Sequence, residues 1–180
     1  GIEPSLNVAQ ESNKYGIDTI SEFLSADLAN EVLQTKGPAN LVYAANVFCH
    51  IPDINDLAES CSILLKEGGY LVFEDPYLGD VLQKVSYDQI YDEHVYLFSA
   101  LSIQNLFKLH GFELINLAPQ NTHGGSMRYF LSRKGNFNIE DNVQIIINKE
   151  RLMGLDKTKT FLKFKQNIEK SRRDLINLLL

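Results

Sequence analysis

Short apolar segments alternate with amphipathic ones through much of this 180-residue sequence. Residues 39–45 and 70–74 have the length and composition of buried β-strands, and residues 53–67 between them carry apolar side chains at helical spacing. A helix between two strands indicates a parallel pair, because the chain has to cross back before the second strand begins. The alternation therefore predicts an α/β fold in which helices wrap a parallel sheet.

Capping residues and glycines place the other elements. Asp27 is expected to cap a helix that runs to about residue 34, and Gly68 and Gly69 are expected to close the helix that Asp53 begins. Turn-forming residues between apolar runs predict short strands that end near Glu3 and Ile20, and an antiparallel pair at residues 112–118 and 127–132.

Two stretches depart from this alternation. About twenty residues after Pro76 are rich in Tyr, Asp and His, and so long a connection in a compact domain predicts a functional loop. Beyond Lys134 only helical spacing remains. We therefore place a boundary near residues 134–140, between an α/β domain at residues 1–135 and a helical region at residues 136–180.

The charge balance excludes several classes of partner. The chain has 17 Lys and Arg against 23 Asp and Glu, a net charge of −6 that leaves no broad basic surface for nucleic acid or an anionic membrane. The two cysteines, Cys49 and Cys61, are too few for a disulfide scaffold and lack the paired spacing of a zinc site. We expect a soluble, cytoplasmic protein that binds neither nucleic acid nor membrane.

Glu3 is a candidate binding residue, since it lies where a predicted strand gives way to a helix. In doubly wound folds an acidic residue at a strand end accepts hydrogen bonds from both hydroxyls of a ribose. A surface glutamate beside a helix N-terminus is the alternative explanation.

His94 is a candidate general base, with Glu93 directly before it and Tyr91 three residues before it. A histidine with a carboxylate and a phenol nearby suits the removal of a proton next to a carbonyl group. A solvated acidic loop would explain the same residues. A metal site is disfavoured, because adjacent Glu and His side chains diverge.

Two further groups follow predicted strands. Asn46 and His50 come directly after residues 39–45, and parallel sheets bind ligands at the carboxyl ends of their strands. The alternative for His50 is a helix cap. His123, Gly124 and Gly125 would let backbone amides approach an anion, although a hairpin turn explains them nearly as well.

Five motifs occur in a specific order: GIEPS at 1–5, GPAN at 37–40 with AANVFCHIP at 44–52, FEDPYL at 73–78, YDEH at 91–94 and HGGS at 123–126. Together they resemble the S-adenosylmethionine-dependent sugar C-methyltransferase family. The resemblance covers residues 1–135, and the helices beyond resemble the entry to the family's C-terminal domain. It implies a Rossmann-like class I methyltransferase sheet, present in part, with terminal helices.

The resemblance also implies how a cofactor would be held. Glu3 would bind the ribose of S-adenosylmethionine, Phe23 and Leu24 would line the adenine pocket, and Ala44 and Asn46 would flank the methionine part.

The implied reaction is C-methylation of a nucleotide-linked keto-deoxysugar. His94 would be the general base, Tyr91 and Glu93 its polar neighbours, and His50 a second polar group over the sugar. The base would form an enolate next to the ketone, and the enolate carbon would attack the sulfonium methyl group.

The family pattern extends beyond this sequence. We expect an N-terminal zinc-binding region, a first strand with a Gly-rich cofactor loop, and most of the C-terminal domain to lie outside it, so zinc is expected only there. The first strand would lie between the strands that end at Glu3 and Ala45. We therefore expect an interrupted sheet and a chain that is inactive alone.

Two other functions stay open. A small-molecule O-methyltransferase would keep Glu3 and Asn46 but would not need residues 91–94. A non-catalytic Rossmann-like interaction module would use the acidic loop and the terminal helices as partner surfaces.

Overall fold

The computed structural model describes all of residues 1–180. Four strands form one mixed sheet, and seven α-helices surround it. The strands are β1 (Ala39–Ala45), β2 (Leu65–Pro76), β3 (Phe112–Gln120) and β4 (Ser126–Arg133). The helices are α1 (Leu6–Lys14), α2 (Ala26–Lys36), α3 (Ile54–Leu64), α4 (Leu78–Lys84), α5 (Ala100–Lys108), α6 (Asp141–Met153) and α7 (Thr158–Leu179).

The sheet has the strand order β1-β2-β4-β3. β1 and β2 are parallel and joined through α3, whereas β4 runs antiparallel to both β2 and β3. The predicted α/β class and the antiparallel pair are therefore confirmed. The core centres on Phe73 of β2, whose ring stacks on Phe48 at 4.5 Å and on Tyr129 at 4.8 Å between centroids. Side chains of all β-strands except β1 and of helices α3, α5 and α6 supply most of the other buried residues of this cluster.

The sheet is interrupted on the outer side of β1, as the sequence predicts. Residues near the chain start form only an isolated parallel bridge between Ile2 and Ile20, separate from the four-stranded sheet. The predicted strands that end near Glu3 and Ile20 are therefore wrong beyond this one bridge. The cause of the missing strand at residues 17–20 is local. The Asn13 side chain hydrogen-bonds to both the amide and the carbonyl of Thr19, which a neighbouring strand would otherwise use.

Two predicted boundaries are also wrong. Ser25, not Asp27, caps α2 through the amide of Leu28, and Asp27 lies in the first turn, where the helix dipole favours a negative charge. α3 ends at Leu64, so Gly68 and Gly69 belong to β2. Gly69 is required there because a Cβ atom would lie 3.0 Å from the carbonyl oxygen of Asn40 in β1.

The segment after β2 is more ordered than the predicted loop. It contains α4 and a turn of 3-10 helix at Tyr87–Gln89, and its two ends are tied together because the Leu78 amide donates to the Phe98 carbonyl. No helix in the chain combines the length and the apolar character that crossing a membrane requires.

Beyond the boundary predicted at residues 134–140, the two helices behave differently. α6 places Val143 and Ile147 in the core, whereas α7 buries only Phe164 over 22 residues. The division into two domains stays a prediction.

Candidate active site

The turn after β1 places the side chains of Asn46 and His50 at the wall of one cavity. The Asn46 amide donates to the Glu74 carbonyl at 2.7 Å, and a positive φ of 54° at Asn46 then turns the chain out of the sheet. The 3-10 turn Phe48–His50 follows. Phe48 and Cys49 are buried in the core, whereas His50 is partly exposed.

A cavity of about 840 Å³ lies between β1 and the chain start. The structure brings together at its wall all five residues predicted to hold a cofactor, and His50 with them: Glu3, Phe23, Leu24, Ala44 and Asn46. Segments separated by up to 47 positions (residues 3 to 50) thus share one site.

Glu3 and Phe23 present different surfaces in this cavity. One carboxylate oxygen of Glu3 accepts the Ser5 amide hydrogen at 2.8 Å, which leaves the other oxygen free for a ligand. Phe23 is 79% exposed, so a flat apolar face is open to the cavity rather than packed in the core. A carboxylate and an exposed ring fit a ligand that carries both hydroxyls and an aromatic base.

His50 and His94 form an imidazole pair with ring centroids 5.1 Å apart. Nδ1 of His50 lies 2.6 Å from the Glu93 carbonyl oxygen, and Nδ1 of His94 lies 2.7 Å from the Gln89 carbonyl oxygen. A carbonyl only accepts, so each Nδ1 carries a hydrogen, and in the neutral ring Nε2 is the basic nitrogen.

Tyr91 and Glu93 act on this pair in different ways. The Tyr91 hydroxyl donates to Nε2 of His94 at 2.9 Å, and the two rings are tilted by 38° with centroids 4.1 Å apart. Glu93 contributes its backbone carbonyl to His50, while its exposed side chain makes no hydrogen bond or ion pair. The sequence prediction names Glu93 for its carboxylate, and the structure uses its backbone.

Two acidic residues at the end of β2 were not identified as site residues from the sequence. Glu74 accepts hydrogen bonds from Arg128 and from Thr122, which fixes the β3–β4 hairpin to this end of the sheet. Asp75 is fully buried, and burial raises its pKa to about 6. Strand alternation is the signal that could have found it, because Asp75 shares a face with the buried Phe73.

Cys49, His50 and His94 place one sulfur and two nitrogen atoms within 4.8 Å of one another. The sequence predicts no metal site. Burial raises the pKa of Cys49, and neighbouring Asp75 raises it further, which favours the thiol over the thiolate that a metal binds. Tyr91 also engages Nε2 of His94. Both observations favour an acid–base role for the histidines.

His123, Gly124 and Gly125 lie outside the cavity wall. The Lys84 ammonium group donates to the Gly124 carbonyl, and a Cβ atom on Gly125 would lie 2.0 Å from a carboxylate oxygen of Asp80. Gly125 therefore lets the hairpin approach α4 closely, and His123 is exposed at the tip of the hairpin.

Family models match both parts of the chain. A methyltransferase domain matches residues 1–117, and a C-methyltransferase C-terminal domain matches residues 121–180. C-methyltransferase NovU from Streptomyces niveus is 31% identical over 180 residues, which cover 99% of this chain and 43% of NovU. The chain thus spans less than half the length of this relative.

Solved structures agree on the fold. A SAM-dependent methyltransferase from Anabaena variabilis superposes with a TM-score of 0.55 at 18% identity, over 74% of this chain and 67% of that one. Magnesium protoporphyrin IX methyltransferase from Synechocystis, solved with bound SAH, has a TM-score of 0.52 at 16% identity, over 74% and 63% of the two chains. The Rossmann-like class I fold is therefore confirmed, and the chain belongs to the family of SAM-dependent C-methyltransferases.

Proposed function

We propose that this chain carries the reacting groups of an enzyme that transfers a methyl group from S-adenosylmethionine to carbon, on a nucleotide-linked keto-deoxysugar. The observation that carries the proposal is the imidazole pair beside the cavity. Nε2 of His94 is free of a proton in the neutral ring, because Nδ1 faces the Gln89 carbonyl. An oriented neutral imidazole is the group that enolate formation requires, whereas O-methylation of an acidic hydroxyl needs no such base.

The proposed reaction has two steps. His94 takes a proton from the carbon next to the ketone, and the electrons of that C–H bond form an enolate. The enolate carbon then bonds to the sulfonium methyl carbon while the carbon–sulfur bond breaks, which leaves S-adenosylhomocysteine. The Tyr91 hydroxyl donates to Nε2 of His94 in the free site, and this bond breaks when the nitrogen takes the carbon-bound proton. His50 stands over the same space as a second polar group, and its Nε2 is a donor to the enolate oxygen only in the imidazolium form.

S-adenosylmethionine supplies the activated methyl group, and the cavity residues fit it. The free oxygen of Glu3 is available to a ribose hydroxyl, Phe23 and Leu24 offer an apolar face to adenine, and Ala44 and Asn46 line the wall toward His50. Since β1 has no partner on this side, we propose that a further strand of the whole protein completes the wall. We also propose that the zinc of the family lies outside this chain.

The test is deuterium exchange into a keto-sugar nucleotide without a methyl donor. In the full-length protein, His94→Ala is expected to reduce both exchange and methyl transfer by ~10²–10⁴-fold, as removal of a general base does. His50→Ala is expected to lose less, because the base remains. His110→Ala, in a histidine at the end of α5 that lies outside the cavity, serves as the matched control. Exchange at the wild-type rate in His94→Ala would overturn the assignment.

A further inference from the structure

A second cavity lies between α4, the end of α6 and the first half of α7. Its volume of about 380 Å³ is within the range of roughly 300–1,000 Å³ that ligand pockets have. It shares no lining residue with the cavity that contains Glu3. We call it the α4–α7 cleft, and the proposed reaction does not yet use it.

Helical spacing brings the side chains of the cleft together. Lys149 and Met153 are four residues apart on α6, and Lys163 and Asn167 are four residues apart on α7 with Phe164 between them. Residues three or four positions apart share one face of a helix. A glycine in the left-handed conformation ends α6, so the chain turns back and α7 begins four residues later. The two helices therefore present these faces to one space.

Hydrogen bonds fix the walls of the cleft. Tyr77, the N-cap of α4, donates to the buried Glu150 of α6 at 2.9 Å. Thr160 of α7 donates to the carbonyl oxygen of Met153 in α6 at 3.4 Å. These contacts link α4 to α6 and α6 to α7, so the cleft is largely preformed, and a ligand loses little binding energy to ordering it.

The cleft is positively charged. Lys149 and Lys163 line it, no acidic side chain does, and neither ammonium group belongs to an ion pair. Nearby exposed acids cannot neutralise them, because Asp156 and Glu169 each pair with a different basic residue. Two unpaired ammonium groups in one cleft favour an anionic ligand, and lysine is a common ligand of phosphate.

This cleft also lies in the basic part of an acidic chain. Residues 149–180 contain nine Lys and Arg and four Asp and Glu, whereas the whole chain contains 17 and 23. The other residues are therefore strongly acidic and repel an anion from most of the surface. The field of the molecule directs a small polyanion toward α6 and α7.

The uncharged lining groups fit a nucleobase. Met153 and Phe164 give the cleft an apolar floor on which a flat ring can pack. Gln83 of α4 and Asn167 of α7 end in amides, which both donate and accept hydrogen bonds, as the edge of a base requires. An apolar floor, two amides and two ammonium groups together match a base that carries phosphates.

We propose that the α4–α7 cleft binds the nucleoside diphosphate part of the sugar nucleotide, with Lys149 and Lys163 on the phosphates and Gln83 and Asn167 at the base. This rests on the proposed function. In a sugar nucleotide the diphosphate joins the base to the sugar, so the sites for the two halves have to be neighbours. α4 supplies one wall of the cleft, and the segment that follows it carries His94.

The first test is titration calorimetry of the full-length protein with the diphosphates of thymidine, uridine, cytidine, adenosine and guanosine. Lys149→Gln and Lys163→Gln are each expected to weaken binding of the tightest of these by about tenfold, as the loss of one charge-assisted hydrogen bond does. Lys165→Gln removes the same charge from α7 outside the cleft, so it is the matched control and leaves the affinity in place. Equal losses in the three variants, or no binding of any diphosphate, overturn the proposal.

The second test separates a nucleotide site from a site for any anion. Inorganic pyrophosphate carries the phosphates without a base, and Asn167→Ala removes an amide without changing the charge. This variant is expected to weaken binding of the nucleoside diphosphate by about fivefold and to leave pyrophosphate binding unchanged. Pyrophosphate that binds the wild type as tightly as the nucleoside diphosphate contradicts the proposal.

The third test is the kinetics of methyl transfer to the sugar nucleotide. In Lys163→Gln the KM for the sugar nucleotide is expected to rise by about tenfold with kcat unchanged, because the lysine binds a part of the substrate that does not react. An unchanged KM overturns the assignment of the cleft and leaves the proposed function intact. If the wild type transfers no methyl group, the proposed function fails, whereas calorimetry still decides what the cleft binds.

Discussion

At the scale of single residues, the end of β2 shows how one strand supplies two acids with opposite surroundings. Glu74 and Asp75 point to opposite faces of the sheet. Glu74 is paired with Arg128 at 2.8 Å, whereas Asp75 has no hydrogen-bond partner. A buried carboxylate without a hydrogen-bond partner lowers the stability of the fold. Its presence at this position therefore indicates a functional role.

Asp75→Asn is expected to stabilise the protein at neutral pH. The folded-state pKa of about 6 lies above the value of roughly 3.9 for an unfolded chain, so the fold favours the protonated acid. Stability from this group is therefore present below pH 4 and is lost as pH rises toward 6, by about 3 kcal/mol in total. Urea unfolding at pH 4 and pH 7 measures this, and the gain of Asp75→Asn over wild type should appear only at pH 7.

The control for this prediction is Asp88→Asn, which removes an exposed carboxylate from the segment after α4 and is expected to change stability by no more than about 0.5 kcal/mol. A variant Asp75→Asn that is less stable than the wild type at pH 7 would show that the carboxylate has partners in solution.

Glu3→Ala is expected to weaken the binding of S-adenosylhomocysteine. Since one oxygen of Glu3 already accepts the Ser5 amide hydrogen, one charge-assisted bond to the ribose is at stake, worth about 1.5–3 kcal/mol at most. Titration calorimetry of the full-length protein measures it. Glu11→Ala, on the exposed side of α1, is the matched control, and equal affinities in both variants would remove Glu3 from the site.

At the scale of elements, α6 holds the start of α5 through one side chain. Glu150 is fully buried and accepts hydrogen bonds from the Tyr77 hydroxyl and from the amides of Ala100 and Leu101. These two amides belong to the first turn of α5, where no intrahelical partner exists. Glu150 thus joins the N-cap of α4, the start of α5 and α6 at one point, across the boundary predicted at residues 134–140.

Glu150→Ala is expected to lower the free energy of unfolding by about 3 kcal/mol or more, because three donors lose a charged acceptor in the interior. Glu169→Ala on α7, where an exposed ion pair with Arg172 is lost, is expected to change it by about 0–1 kcal/mol. Chemical unfolding of both variants is the measurement. Equal effects would mean that α6 is not part of the cooperative unit.

Sequence patterns predicted most elements because their signals are local. Residues 39–45 became a strand with the predicted bounds. Predictions failed where side-chain and tertiary contacts override the pattern. Gly69 serves the approach of β1, which is distant in sequence, and Thr19 pairs with the nearby side chain of Asn13 instead of a strand. The order of the motifs likewise predicted that the site residues share a cavity. The environment of Asp75 could not be predicted from a local pattern, because it depends on β4 and on the turn after β1.

At the scale of the whole molecule, β1 has a strand neighbour on one side only. The cavity that β1 lines is therefore open along the other edge of this strand. β1 is the edge strand of the sheet, and its apolar side chains Leu41 and Tyr43 are 54% and 58% exposed. An unpaired apolar edge is also a place where chains associate. Both observations agree with a further strand between β1 and the segment that contains Glu3.

Amide hydrogen exchange tests this proposal with a control inside the strand. The amide of Asn46 points to β2, so by strand alternation those of Val42 and Ala44 also point to β2, whereas those of Tyr43 and Ala45 point to the open side. In residues 1–180 alone, Tyr43 and Ala45 are expected to exchange quickly while Val42 and Ala44 stay protected. In the full-length protein all four amides should be protected, because a neighbouring strand then accepts the outer hydrogens. Fast exchange at Tyr43 and Ala45 in the full-length protein would contradict a strand at this edge, and the cavity wall would then be complete as it stands.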